Sequence, residues 1–251
     1  MTNDTKCKNC DTFLVGSFCS SCGQKADTHR ITIAHFLHEF FHALTHTDRG
    51  ILLLMKALIL RPGEVAKEYL DGKRKKYFNP LTFIIIISSI YAYLSYKTGY
   101  FEALSGFDRQ VKVAGEVYTE SMQLMLENRK ILNLFLMPIL VSFLSWIFFR
   151  KQKTNMAENI VLNSFVLGQI YLIMIVIFIP GFLLFPETIK ANNYMSHGLM
   201  LGYMSLAYHQ FFKDNIFLTV LKTALIIVLF ILLFWLSIMG YVMLKHLILG
   251  L

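Results

Sequence analysis

Four cysteines carry the most specific chemistry in this chain: Cys7-Lys-Asn-Cys10, an eight-residue gap, then Cys19-Ser-Ser-Cys22 followed by Gly23. Each Cys-x-x-Cys knuckle can place two thiolates on one ion. Two knuckles complete a tetrahedral set with metal–sulfur distances of about 2.3 Å, the pattern of a zinc ribbon. Four thiolates leave no open position for water or substrate, so the expected Zn2+ is structural. A segment of ~20 residues has almost no core of its own, and metal binding would supply its folding energy. Phe13 and Phe18 flank the knuckles and are expected to cover the site.

A second set of candidate ligands follows. On a helical wheel His35, His38, His42 and His46 form one stripe with Glu39 and Arg49, opposite Ile33, Phe36, Leu37, Phe40, Phe41 and Leu44. Four-residue steps put His38, His42 and His46 on successive turns, where they could hold a transition metal with Asp48 or Glu39 close by. The same stripe also fits an amphipathic helix whose polar face uses histidine, or a proton-sensing surface. Glu158 joins His38, His42, His46 and Asp48 as a possible second polar or metal site. A carboxylate at a helix N-terminus is favoured by the backbone dipole, yet it could equally serve as a base or a ligand. No catalytic constellation is recognisable, and the question of an enzyme stays open.

The elements that must position these groups are written for lipid. Hydrophobic residues make up 55% of the 251 positions and charged residues only 16%, where a soluble domain has roughly a quarter. The first 30 residues are polar and lack the apolar stretch of a secretory signal. Residues 1–27 are therefore read as a ribbon in a reducing cytoplasm, where cysteines bind metal rather than pair. Residues 28–80 read as amphipathic, interfacial helices. Ile51 to Leu60 contains Lys56 and is too short to span, since a crossing needs about 20 residues. Arg61-Pro62-Gly63 ends it, Pro62 opens another helix through Leu70, and Gly72 stops that one before the basic run Lys73-Arg74-Lys75-Lys76.

Residues 81–251 form the transmembrane domain, with spans near 81–96, 131–149, 160–185, 197–212 and 216–244. Pro138 and Pro180-Gly181 are expected to kink the second and third. The fourth is short and carries His209 and Gln210; without it the C-terminus returns to the cytoplasm. Five crossings place 17 Lys and Arg inside and 7 outside, as the positive-inside rule asks. Residues 97–130 form the one sizeable outer loop, with a small capping helix expected around Val117 to Leu126. Inside the spans, Ser142, Ser145, Asn163, Ser164 and Gln169 are read as interhelical hydrogen-bonding groups.

The fold class is thus an all-α polytopic membrane protein of about five transmembrane helices, preceded by a small zinc ribbon and amphipathic interfacial helices. Its expected partners are the lipid bilayer, anionic lipid headgroups beneath the basic run, and a cytoplasmic protein docking on the ribbon. Nucleic acid is disfavoured, because the basic residues are not interleaved with aromatics on an exposed sheet.

Several stretches together resemble a known group of sequences: Cys22-Gly23-Gln24-Lys25, His46-Thr-Asp48-Arg49-Gly50, the segment from Arg61-Pro62-Gly63 through Tyr69, Gly72, Arg74 and Tyr77 to Asn79-Pro80, and Asn155-Met-Ala-Glu158-Asn159. They resemble an uncharacterised bacterial family of multi-pass membrane proteins with an N-terminal zinc ribbon, a domain of unknown function. The resemblance implies a bacterial inner-membrane protein with a cytoplasmic N-terminus and supplies no activity. It also implies histidine where this chain has Asn159. Three functions follow in order: a scaffold or adaptor with a zinc-binding head; a membrane metalloenzyme acting on a lipid-like substrate through the histidine stripe; and a small-solute or lipid transporter, which would need a polar cavity around Asn163, Gln169 and His209.

Overall fold

The computed structural model describes residues 6–28, 30–33, 51–105, 120–121, 123–124 and 136–249. The histidine stripe, with Glu39, Asp48 and Arg49, lies outside the described residues, as does most of the outer loop.

Helices account for nearly all the described residues after the ribbon. They are α1 (Ile51–Leu60), α2 (Pro62–Leu70), α3 (Pro80–Lys97), α4 (Tyr100–Ser105), α5 (Met137–Phe148), α6 (Met156–Ile173), α7 (Ile179–Leu184), α8 (Ile189–Phe212) and α9 (Ile216–Leu249). Three continuous helical stretches among the described residues are long and apolar enough to cross a membrane: Pro80–Lys97, Met156–Leu184 and Ile216–Ile248. The chain is an all-α membrane protein. α5 is shorter in its described part, which runs from Met137 with Pro138 as its second residue.

α8 differs most from the sequence reading. It starts eight residues before the apolar window at 197–212 and runs for 24 residues, about 36 Å at 1.5 Å per residue. Lys190, Asn192, Asn193 and His197 in its first turns hide its length from a hydropathy window. The third span carries a π-helical turn over Met174–Phe178, just before Pro180. Proline offers no N–H to the carbonyl four residues back and crowds it, and a widened turn absorbs both effects.

α6 is the axis of the bundle. It packs against α3, α5, α2, α1 and α8. From Val161 to Tyr171 every residue is buried, which is what an apolar helix with no solvent-facing stripe should do. Its two buried asparagines, Asn159 and Asn163, are hydrogen-bonded inward. Asn163 Nδ2 donates to Ser145 Oγ at 3.1 Å, Ser145 Oγ donates to Asn159 Oδ1 at 2.9 Å, and Tyr208 OH donates to Asn163 Oδ1 at 2.8 Å. This chain ties α5, α6 and α8 together, as expected where lipid offers no alternative partner. Gln169 Oε1 and Ser164 Oγ are buried without a partner among the described residues.

α1 and α2 form a bent pair wedged beneath α8. Leu54, Leu58, Val65 and Ala66 are fully buried. Gly63 permits the closest approach: a Cβ there would stand 2.1 Å from the Ala207 carbonyl oxygen and 2.6 Å from the Phe211 nitrogen. Reciprocal bonds lock the joint, Gly63 N–H donating to Gln210 Oε1 at 3.1 Å and Gln210 Nε2 donating to the Leu60 carbonyl at 2.8 Å. Tyr203 OH adds a bond to the Leu58 carbonyl at 2.6 Å.

These contacts define two ends of the bundle. The end bearing Arg61, the 149–155 connection and the 213–215 turn also carries the ribbon. The other end holds the α3–α4 junction and the start of α8, joined where Tyr100 OH donates to Asn192 Oδ1 at 2.8 Å. Near the C-terminal end of α9, Glu120 accepts from Lys245 Nζ at 2.5 Å and pairs with His246 Nε2 at 2.6 Å.

Candidate metal centre and its anchorage

The ribbon is one short motif used twice, twelve residues apart. Cys7 N–H donates to the Thr12 carbonyl and Asp11 N–H to the Cys7 carbonyl; in the second knuckle Cys19 N–H donates to the Gln24 carbonyl and Gly23 N–H to the Cys19 carbonyl. Asp11 and Gly23 occupy the same left-handed backbone position, at φ of 59° and 70°. Isolated bridges Lys6 to Phe13 and Phe18 to Lys25 close the two loops. A repeated turn of this kind aims the sulfurs of each knuckle at one point.

All four Sγ atoms lie within 4.8 Å of one another, and the cysteines are free thiols. Cys7 and Cys22 are 3.6 Å apart, Cys10 and Cys19 3.5 Å. A regular tetrahedron with ~2.3 Å metal–sulfur bonds has edges of about 3.8 Å, so the sulfurs already stand at the spacing a bound ion needs. The hydroxyl and backbone of Thr12 hold the Cys10 thiol down at about 6, while burial pushes Cys22 up to about 11. A divalent cation at the centre would deprotonate both. Phe13 and Phe18 do not close over the thiols as anticipated: they are 57% and 63% exposed, and Val15 between them is 96% exposed.

The cluster is fastened to the bundle by side chains that sit between and beside its cysteines. Asn9, inside the first knuckle, accepts from Lys76 N–H at 3.0 Å. Gln24, just after the second and 3% exposed, accepts from Arg74 N–H at 3.1 Å and Lys75 N–H at 3.2 Å. Gly72 makes the approach possible, with φ of 115° and Lys8 Cδ 2.8 Å from where a Cβ would lie. The same turn folds around Glu68, which accepts from Lys76 Nζ at 2.7 Å and Tyr77 OH at 2.8 Å, with Lys73 Nζ at 3.5 Å. Burial raises this carboxyl, but the bonds from Lys76 and Tyr77 and the charges of Lys76 and Lys73 outweigh it and hold it at about 2.

Glu158 provides the second fastening. Asn155 and Glu158 make a capping box at the start of α6, Glu158 N–H donating to Asn155 Oδ1 at 2.8 Å and Asn155 N–H to Glu158 Oε2 at 2.9 Å. Arg30, directly after the ribbon, donates to both Glu158 oxygens at 2.6 and 3.0 Å and to the Lys153 carbonyl at 3.0 Å. Asn155 Nδ2 donates to the Ile31 carbonyl at 3.1 Å. Every oxygen of this carboxylate is thus engaged in holding residues 30–31 to the bundle. Asn159, the position where the resemblance implies histidine, donates to Thr154 Oγ1 at 3.0 Å and belongs to the buried network. His209 Nδ1 lies 2.8 Å from the Asp214 carbonyl in the turn before α9.

A family described as a protein of unknown function (DUF3667) matches residues 48–92. That stretch runs from Asp48 through α1, α2 and the basic turn into α3, and so contains the docking surface but not the cysteines. No curated protein and no solved structure matches the chain.

The sequence pattern picked out the four cysteines and missed Asn9, Gln24 and Arg30. Asn155-x-x-Glu158 was a readable signal, being the spacing of a capping box. The partners of Asn9 and Gln24 are main-chain donors some 50 to 70 positions away, which no local pattern reveals.

Proposed function

We propose that this is an integral protein of the bacterial inner membrane acting as a scaffold or adaptor, with a zinc-loaded ribbon held rigidly on its cytoplasmic face to recruit a protein partner. The observation that carries the reading is the direction in which the ribbon is used. Its polar side chains Asn9 and Gln24 are spent on the α2–α3 turn, while Phe13, Val15 and Phe18 point outward. A ribbon tied down on one side and apolar on the other suits docking, since exposed aromatics are the usual anchors of protein interfaces. Four cysteines around one point favour a closed structural zinc rather than a reactive one.

The basic residues around the docked ribbon support contact with anionic headgroups. Burial and the nearby Lys213 hold the Lys67 ammonium below its ordinary value, so an added phosphate beside that pair would relieve repulsion.

The test is site-specific photo-cross-linking in cells. A photoreactive residue at Val15 should trap a discrete protein adduct that disappears in a Cys7→Ser/Cys22→Ser background, while one at Glu187, at the opposite end, should not. Val15 adducts that persist unchanged without the cysteines would refute the recruiting role of the ribbon.

A further inference from the structure

A cavity of about 260 Å³ lies in the half of the bundle remote from the ribbon. Its wall is made by Tyr91, Leu167, Met174 and Met200, with Asn193 and His197 on one side. Leu167 lies eleven residues into α6 and Met200 twelve residues before the end of α8, about 16 and 18 Å from the ribbon end at 1.5 Å per residue. Half of a ~30 Å hydrocarbon core is 15 Å, so the floor of the cavity sits near the midplane and its body within one leaflet. What reaches such a site arrives from lipid.

Among the described residues the lining holds no Lys, Arg, Asp or Glu. A phosphate or carboxylate there would lose its hydration without a counter-charge to replace it. The polar groups present suit an uncharged donor instead. The Asn193 carbonyl accepts from Ser196 Oγ at 2.8 Å and stands 2.8 Å from His197 Nδ1. A carbonyl oxygen can only accept, so Nδ1 carries the proton of this contact and Nε2 is the ring nitrogen left for a ligand. The Asn193 side-chain amide has no partner among the described residues, and it adds a donor and an acceptor. Methionines at 137, 174 and 200 give the wall the adaptable packing that flexible chains favour.

We infer that this cavity binds a single alkyl or isoprenyl chain bearing a hydroxyl headgroup, with the chain along Leu167, Met174 and Met200 and the hydroxyl between Asn193 and His197. The inference rests on the membrane bundle alone and is independent of the ribbon's role.

The experiment uses the full chain in phosphatidylcholine nanodiscs with hexadecanol carrying a chain diazirine. Labelling should saturate, map to the peptides of residues 167–174 and 193–200, and be competed by unlabelled hexadecanol at least about tenfold better than by hexadecyl phosphate. Asn193→Ala/His197→Ala should weaken competition about thirtyfold, the loss of two neutral hydrogen bonds. Met200→Trp, which fills the cavity, should abolish site labelling, while Val176→Trp on the lipid-facing side should leave it intact. Non-saturating label spread over exposed α9 positions such as Leu232 and Leu236, or equal competition by the phosphate, would overturn the inference. So would wild-type labelling of a Met200→Trp protein that melts normally; should that variant misfold, the wild-type competition decides.

Discussion

Replacing Gln24 by alanine should loosen the basic turn without touching a metal ligand. The Gln24 carboxamide is almost fully buried, and its Oε1 accepts both Arg74 N–H and Lys75 N–H. Two hydrogen bonds at about 1 kcal/mol each give a loss of roughly 2 kcal/mol in the docking of the ribbon. At 1.36 kcal/mol per decade this is about a thirtyfold rise in the opening equilibrium of the turn. The assay is amide hydrogen exchange of the full protein in detergent, resolved to single residues. Exchange at Arg74 and Lys75 should accelerate about thirtyfold, and that at Lys76, held by Asn9, by less. Adding a strong chelator should release all three amides at once, because the knuckles that carry Asn9 and Gln24 lose their shape with the ion. Unchanged exchange at Arg74 and Lys75 in the Gln24 variant would refute the docking, and protection that survives complete metal removal would refute its dependence on the ribbon fold.

Gly63→Ala should lower the melting temperature and cost at least about 1–3 kcal/mol, since the added carbon meets the backbone of α8 rather than a movable side chain; a thermal melt matching wild type would contradict that packing. Glu68 has a carboxyl held at about 2, below its unfolded value near 4.5. The stability it contributes is complete above about pH 4.5 and is lost as pH falls toward 2, so Glu68→Gln should flatten this part of the stability–pH profile. A variant that keeps the full acid slope would assign the slope to other groups.

How much of this could be read from the chain differs from element to element. The paired Cys-x-x-Cys knuckles announced a metal cluster because thiolate spacing is a local property. The long apolar runs gave α3, the α6–α7 stretch and α9, since composition over 18 or more residues is a strong signal. α8 was legible only in its apolar part, because Asn192 and Asn193 lower the hydropathy of turns that the bundle nevertheless keeps helical. The polar groups proved less predictable. Glu158 could be read as ligand, base or cap, and its geometry is that of a cap and a salt bridge to Arg30, 128 positions away. Phe13 and Phe18 looked like a lid for the cysteines, but both are largely exposed, which their nearness in sequence to the knuckles does not reveal. The wedge of α1 and α2 under α8 hangs on Gly63 meeting Ala207, a long-range fit that helical periodicity does not encode.

The central claim is a single closed metal centre that shapes the head of a membrane protein. The measurement that tests it most directly is the metal content of the detergent-purified protein by elemental mass spectrometry, in wild type, Cys7→Ser/Cys22→Ser and His38→Ala/His42→Ala. One zinc per chain, lost in the cysteine variant and kept in the histidine variant, is the predicted result. A second metal that vanishes with the histidines would contradict it and place a metal-dependent membrane enzyme ahead of the scaffold.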